Sequence, residues 1–432
     1  MITALLFGSF LVLMAIGVPV AIALGLSGTL AIVLSNLDTQ WFGLMAVPQS
    51  FYAGLAKYPL LAIPMFVLVG SIFDRSGVAA RLVNFAVAVV GRGPGMLPLV
   101  TIAVAMFLGG ISGSGPACAA AVGAVMIGAM KRAGYPAPYA ATIVGAGAAT
   151  DILIPPSIAF IVYSVLVPQA SVPALFAAGL VPGALVGIAL IVPAVWLARA
   201  HNMGAAERDL PRPPFWRSLY EAIWGLSAPV IILGGMRMGY FTPTEAAVVA
   251  VFYGLFVGMA VHRTIRFRDL FVILREAAEL SAVIMLVVSL AGIFAWALST
   301  LSVIDPITRT IVGLGLGEYG VMALIIILLT IVGMFLDGIS IFLIFVPLLM
   351  PIANAYGWDP VWFGVLLTVM VALGQFTPPL AVNLMVSCRI ALVPIESTFR
   401  WVTWLLVAVF AVLLLLITFP ELALWLPRYL GF

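Results

Sequence analysis

Four short stretches carry nearly all the polar chemistry that this chain places inside apolar sequence. Two are tip-like: Ser112, Gly113 and Ser114 in GGISGSGPA, and Asp337, Gly338 and Ser340 in FLDGIS. Two are breaks: Thr150 and Asp151 ahead of Pro155-Pro156 in TDILIPPS, and Thr377, Pro378, Pro379 and Asn383 in GQFTPPLAVN. Their side chains offer only hydroxyl, carboxylate and amide oxygens, a ligand set that suits a hard alkali cation such as sodium and excludes soft-metal chemistry. Consecutive prolines remove backbone donors and leave carbonyls free to face a cation. A helix starting at a bare glycine tip presents N–H groups and a positive dipole end to an anion. The bland readings are also open. Glycine and serine often serve helix packing in membranes, Asp337 could be a helix cap, and Asp151 could have a purely structural partner. Carboxylates in apolar surroundings are costly, which makes function the default expectation for both.

The two sets are copies of one pattern. A shift of 357 − 134 = 223 brings Gly110 onto Gly333, Gly115 onto Gly338, Gly134 onto Gly357 and Pro155-Pro156 onto Pro378-Pro379. Self-similarity at one fixed offset in a membrane chain points to a transporter built from two related halves.

Composition sets the class. Of 432 residues, 64% are hydrophobic and 8% charged, against about a quarter charged in a soluble domain. Apolar runs near the ~20 residues of a membrane-crossing helix recur along the chain. The alternation of an outer-membrane barrel is absent, so an all-α polytopic membrane protein is expected. The first residues, MITALLFGSF, hold no basic group ahead of the apolar run and read as a retained span rather than a signal peptide. Cys118 and Cys388 lie one in each half, in apolar segments, and suggest neither a disulfide nor a metal site. The net charge of +3 implies no nucleic-acid partner. The only lysines are Lys57 and Lys131, neither preceded by glycine, so no phosphate-binding GxxxxGK[ST] loop exists. His201 and His262 fall in polar loops, and both are expected to be solvated.

The elements that position these residues follow from helix length. Residues 97–130 are apolar apart from GGISGSGP in the middle, and each arm of about 14 residues spans roughly 21 Å, short of a hydrocarbon core about 30 Å thick. Both arms therefore return to one face as a re-entrant hairpin. Arg92 and Lys131-Arg132 at its base put that face inside. Residues 135–167 then cross once, as a helix broken at the prolines. The pattern recurs as a hairpin over 320–355 and a broken helix over 360–391. The second base has Glu318 and Asp359 and no lysine or arginine, so the hairpins enter from opposite faces and the repeats are inverted. The expected layout is a first repeat at 1–198, a cytoplasmic connector at 199–220 and a second repeat at 221–432 that closes with a terminal span. Residues 3–35 make one kinked span or two short ones, 41–52 look interfacial, and Glu245 is expected to cap the helix after Thr244.

These motifs, with MKRAGYPAPYAA, FVPLLMPIANAYGWDPVWFGV, the opening PVAIALGLSG and FAAGLVPG after the first break, closely resemble the large membrane subunit of the tripartite ATP-independent periplasmic (TRAP) transporters. The resemblance covers almost the full chain. It implies a sodium-coupled importer of a small organic anion, a carboxylate such as a four-carbon dicarboxylate, in a bacterial inner membrane, with no cofactor beyond the coupling ion. It implies two partners, a small four-span membrane subunit and a periplasmic solute-binding protein. It also implies an ion-transporter-like elevator fold in which hairpins and broken helices move as a block against a scaffold, with Ser112, Ser114, Asp337, Gly338 and Thr377 in sodium or substrate positions. Two departures bear on detailed coordination: the family often has an acidic residue where this chain has Ala117-Cys118-Ala119, and Ile-Pro where it has Ile127-Gly128. The alternatives are a standalone carboxylate carrier of the same inverted-hairpin fold and, from other classes, a membrane enzyme or a channel. An enzyme would need a nucleophile and base within reach, and a channel has no use for paired short hairpins.

Overall fold

The structure, a computed structural model, describes residues 2–35, 40–90, 93–209 and 213–432; Arg92 and Arg212 lie outside the described residues. Among those residues every regular element is helical. The first half holds α1 (Ile2–Ala15), α2 (Val20–Ser35), α3 (Gln40–Leu55), α4 (Ala62–Arg75), α5 (Val78–Val90), α6 (Met96–Ser112), α7 (Gly115–Arg132), α8 (Ala137–Ala148), α9 (Ile158–Leu166) and α10 (Val172–Ala200). The second holds α11 (Phe215–Arg237), α12 (Pro243–Leu255), α13 (Asp269–Thr300), α14 (Ile304–Gly313), α15 (Gly317–Gly333), α16 (Gly338–Ala355), α17 (Pro360–Phe376), α18 (Val382–Ala391), α19 (Phe399–Thr418) and α20 (Glu421–Leu430). Among the described residues, seven helical stretches are long and apolar enough to cross a membrane.

Both hairpins form, and their return arms begin and end 223 residues apart: α7 runs from 115 to 132, α16 from 338 to 355. The arms are longer than the sequence suggests. At 17 and 18 residues, α6 and α7 are about 26 Å long, and the chain still reverses at Gly113, whose φ of 62° is the left-handed conformation that glycine adopts without strain. Both proline pairs carry a cis peptide bond, Pro155-Pro156 and Pro378-Pro379.

The two hairpins point at each other from opposite sides. The first broken helix leaves the base of the first hairpin at Tyr135 and ends where the Tyr163 hydroxyl donates to the Pro360 carbonyl at 2.7 Å, beside the base of the second hairpin. The second broken helix starts there, capped by the Asp359 carboxylate at the N–H groups of Val361 and Trp362. It ends at Ile390, which lies against Gly123 of α7. The first broken helix therefore runs from one base to the other, and the second runs from its own base to the middle of the first hairpin's return arm. With lipid tails as apolar as leucine, such packing relies on close approach of small residues: a Cβ on Gly145 of α8 would lie 3.0 Å from the Cα of Leu384 in α18.

The structure decides or revises several segments. The opening forms two helices, since Gly17 sits at φ 87° between them. The segment expected at the interface forms α3 and packs along α13, with the Ser50 carbonyl close to Gly292. The cap of α12 is Thr242 rather than Thr244, in a reciprocal box with Glu245. Helices α14 and α20 are short and amphipathic, with Asp305 and Glu421 in their first turns, and are too polar to register as spans. The connector also does more than link. Glu207 is buried, and its Oε1 accepts from the Leu97 N–H and the Tyr135 hydroxyl, both at 2.8 Å, so it closes the start of α6.

The inverted arrangement can be checked by labelling. A membrane-impermeant maleimide should label Asn354→Cys in right-side-out vesicles and Lys131→Cys only in inverted ones, because both positions are exposed at opposite bases and the native thiols are buried; labelling of both from one side contradicts the arrangement. Burial raises the Glu207 pKa above the usual 4.5, partly offset by the Leu97 and Tyr135 donors. Ionising it therefore costs stability as pH rises through that raised value. Thermal unfolding should show Glu207→Gln gaining on the wild type across that interval, and Glu207→Ala losing about 1–3 kcal/mol from its orphaned donors.

Candidate functional site

The tips and breaks meet because each supplies what the other lacks. Where a helix stops inside an apolar interior its last carbonyls and first N–H groups need partners. The end of α6 is pressed onto the first break: a Cβ on Gly109 would come 2.7 Å from the Asp151 Cα, one on Gly110 3.1 Å from the Pro155 carbonyl oxygen, and one on Gly113 3.0 Å from that of Pro156. In the second half Gly333, the counterpart of Gly110, presses on Gly374, where an added Cβ would lie 2.5 Å from the Gly333 Cα. Only glycine permits these approaches.

Asp151 is fully buried. Its Oδ2 accepts from the Ser112 hydroxyl at 3.1 Å, while Oδ1 has no partner. The position equivalent to Asp151 in the second half is Gly374, 223 residues on, so the halves match in backbone and differ in charge. The second break carries a carboxamide pair in place of the carboxylate. Asn383, fully buried, donates from Nδ2 to Gln375 Oε1 at 3.0 Å, and its Oδ1 has no partner.

Between the tips lies a cleft of about 240 Å³. Ser114, Gly115, Asp337, Gly338 and Gln375 line one part of it, and aliphatic residues of α13 line the wall opposite. The sequence-predicted residues divide into four sets. Ser112, Gly113, Asp151, Pro155 and Pro156 come together at the first tip and break. Ser114, Asp337 and Gly338 line the cleft. The side chains of Thr150, Thr377, Ser340 and Asn383 stand behind its wall: the threonine hydroxyls bond back to the carbonyls of Gly147 at 2.7 Å and Leu373 at 2.5 Å, and Ser340 bonds to Asp337. Pro378 and Pro379 lie on the more exposed side of the second break. Asp337 does act as a helix cap: its Oδ2 accepts from the Ile339 and Ser340 N–H groups at 3.1 and 3.2 Å, and its Oδ1 from the Ser340 hydroxyl at 2.5 Å. Capping and lining the cleft are compatible.

Gln375 is a site residue that the sequence reading misses. It stands in GQFTPP, where the prolines dominate, and the available signal is an amide in the otherwise apolar last turn of α17. His201 is exposed as expected, with its ring edge-on to Trp401. His262 is not: its Nδ1 lies 3.0 Å from the Ser76 carbonyl and its Nε2 is buried without a partner. Both remain far from the tips in sequence and in contacts, and neither pairs with a nucleophile.

The matching family model is that of the tripartite ATP-independent periplasmic transporter, DctM component, over residues 7–422. The chain belongs to this family. Among its TRAP relatives, the isethionate TRAP transporter permease protein DctMQ of Oleidesulfovibrio alaskensis is 38% identical over 411 residues, 95% of this chain; the chain spans only 64% of that protein's length. The C4-dicarboxylate TRAP transporter large permease protein DctM of Pseudomonas aeruginosa is likewise 38% identical, over 95% of this chain and 94% of its own length. The crystal structure of the Alcanivorax borkumensis YdaH transporter, described as having an unusual topology, shares the fold with a TM-score of 0.62 at 12% identity, over 88% of this chain and 90% of that one. This chain is thus a TRAP large permease, a multi-pass transport component and not an enzyme.

Because the tip–break contact tolerates no side chain, Gly374→Ala should destabilise this TRAP permease by about 1–3 kcal/mol or more, whereas Gly234→Ala, with nothing within 4 Å, should leave it unchanged. Fluorescence-detected elution after heating checks both; equal behaviour of the two variants contradicts the contact.

Proposed function

We propose that this chain is the permease core of a sodium-driven tripartite importer of a small organic anion. It works in a bacterial inner membrane with a small four-span subunit and a periplasmic solute-binding protein that delivers the substrate. The observation that carries the reading is the pair of buried side-chain oxygens without partners, Asp151 Oδ1 and Asn383 Oδ1, one beside each break. An orphaned buried oxygen costs roughly 1–3 kcal/mol, more when charged, and a transported cation that meets it would recover that cost. The donor set fits sodium as cargo: Asp151, the Ser112 hydroxyl and the Pro155 and Pro156 carbonyls in the first half, and Asn383 with the carbonyls that end α17 in the second.

The coupling follows from what these residues do. Filling the breaks with positive charge would offset the Asp151 carboxylate and draw the hairpin tips into fixed positions. The Gly115 and Gly338 N–H groups, which begin α7 and α16 and are not taken by the Asp337 cap, would then face the anion in the cleft. Substrate and ion thereby favour the same arrangement, which is the condition for symport. The elevator motion is part of the proposal: α13, which packs on α2 and α3, forms the fixed wall, and the hairpins with their broken helices form the moving block. The functions by which the relatives are named, isethionate and C4-dicarboxylate transport, support an organic anion as cargo.

Uptake into proteoliposomes holding the full complex should require an inward sodium gradient, and Asp151→Asn should reduce its sodium dependence at least tenfold in half-saturating concentration while the protein still elutes as a folded complex. Asp337→Ala should also cost about 0.5–2 kcal/mol of stability through the lost cap, with Asp337→Ser retaining it. Uptake indifferent to sodium contradicts the proposal.

A further inference from the structure

Gln375 is 7% exposed, lines the cleft, and has its Oε1 taken by Asn383. Its Nε2 donates to nothing among the described residues and is open to the cleft, where a ligand can reach it. That group lies beside both tips. A Cβ on Gly338 would be 3.4 Å from Nε2, and one on Gly115 would be 2.8 Å from Oε1. The free amide therefore stands beside Gly115 and Gly338, whose N–H groups are the backbone donors left at the two tips, since Pro116 has none and those of Ile339 and Ser340 are taken by Asp337. Among the described residues no lysine, arginine or histidine lines the cleft, and the one carboxylate that does, Asp337, is turned to its own helix cap, so an anion held here depends on neutral donors and on the cation of the transport function proposed above.

The other end has a different character. Leu280, Val283, Ile284 and Val287 of α13 follow the i, i+3, i+4, i+7 spacing of one helix face and form the facing wall, with Ile339 and Val382 beside them. Nothing on that face can donate to a second charge. A carboxylate placed there would lose its hydration without compensation, whereas an alkyl group would gain from leaving water.

Building on the transport function proposed above, we infer that this cleft takes a monoanionic acid with an aliphatic body: its single carboxylate on the Gln375 amide and the two hairpin N-termini, and its alkyl portion against α13. Gln375 is the specificity-determining residue. A dianion such as a four-carbon dicarboxylate fits this wall poorly.

The test is equilibrium binding to the purified full-length chain in nanodiscs, in sodium buffer, with isovalerate, succinate and isovaleramide as probes. Using the permease alone keeps the binding protein's own selectivity out of the measurement. Isovalerate should bind roughly tenfold or more tightly than succinate, and isovaleramide, which lacks the charge, should bind more weakly than isovalerate. Gln375→Leu and Gln375→Glu should each weaken isovalerate by roughly tenfold, the size of one lost hydrogen bond to a charged group. Val283→Gln, which puts a donor on the wall, should narrow the gap between succinate and isovalerate. Succinate binding as tightly as isovalerate, no binding of any acid, or Gln375 variants that bind like the wild type would each overturn the inference. A sodium-dependent stability shift that persists in those cases would leave the transport function standing, and its absence would remove that function too.

Discussion

Helices that stop halfway through an apolar interior leave backbone groups with no water to turn to, and the architecture answers that constraint. Each hairpin ends where a crossing helix is interrupted by two prolines, so that bare ends meet bare ends. The meeting is tight enough that Gly109, Gly110 and Gly113 in one half, and Gly333 and Gly374 in the other, have no room for a side chain. Close approach of backbone takes the place that apolar burial fills in a soluble protein. What the contact does not satisfy is left as two lone oxygens, Asp151 Oδ1 and Asn383 Oδ1. In this view the transport chemistry is the residue of an incomplete internal solution.

Two-fold repetition usually implies two equal sites, yet the halves diverge at the points that matter. The offset of 223 that superposes the proline pairs puts Asp151 on Gly374 and Ile152 on Gln375. One break therefore carries a carboxyl group, buried and bonded to Ser112. The other carries a neutral carboxamide pair whose free amide faces the cleft. The first arrangement favours a cation strongly. The second divides its polarity between a buried oxygen and an outward donor, which in the proposed transport function would set the anion nearer the second tip. Asymmetry of this kind allows a symmetric scaffold to hold ion and anion side by side.

Much of this architecture is legible in the amino-acid sequence itself. Glycine and proline act on the backbone locally, so GGISGSGP and the two proline pairs announce their interruptions, and the charge contrast between Lys131-Arg132 and Glu318 announces the opposed entries. What sequence conceals depends on contacts between distant residues. That Ser112 meets Asp151 39 positions away, or that Gly115 touches the pair formed by Gln375 and Asn383, is set by packing of elements and not by any local pattern. Asp337 is the middle case: its cap and its place in the cleft are separate expectations, and the fold satisfies both at once. The short helices α14 and α20 stay hidden because ten amphipathic residues with an acid in the first turn are too short and too polar to read as a span.

Direct binding of radioactive sodium to the purified full-length chain, titrated against choline at constant ionic strength, tests most directly whether the two lone oxygens hold the cation. Saturable binding that is lost in part with Asp151→Asn and in part with Asn383→Leu, and wholly in the double variant, is the predicted result. Binding that is absent in the wild type, or unchanged in the double variant, would mean that the cation is held elsewhere.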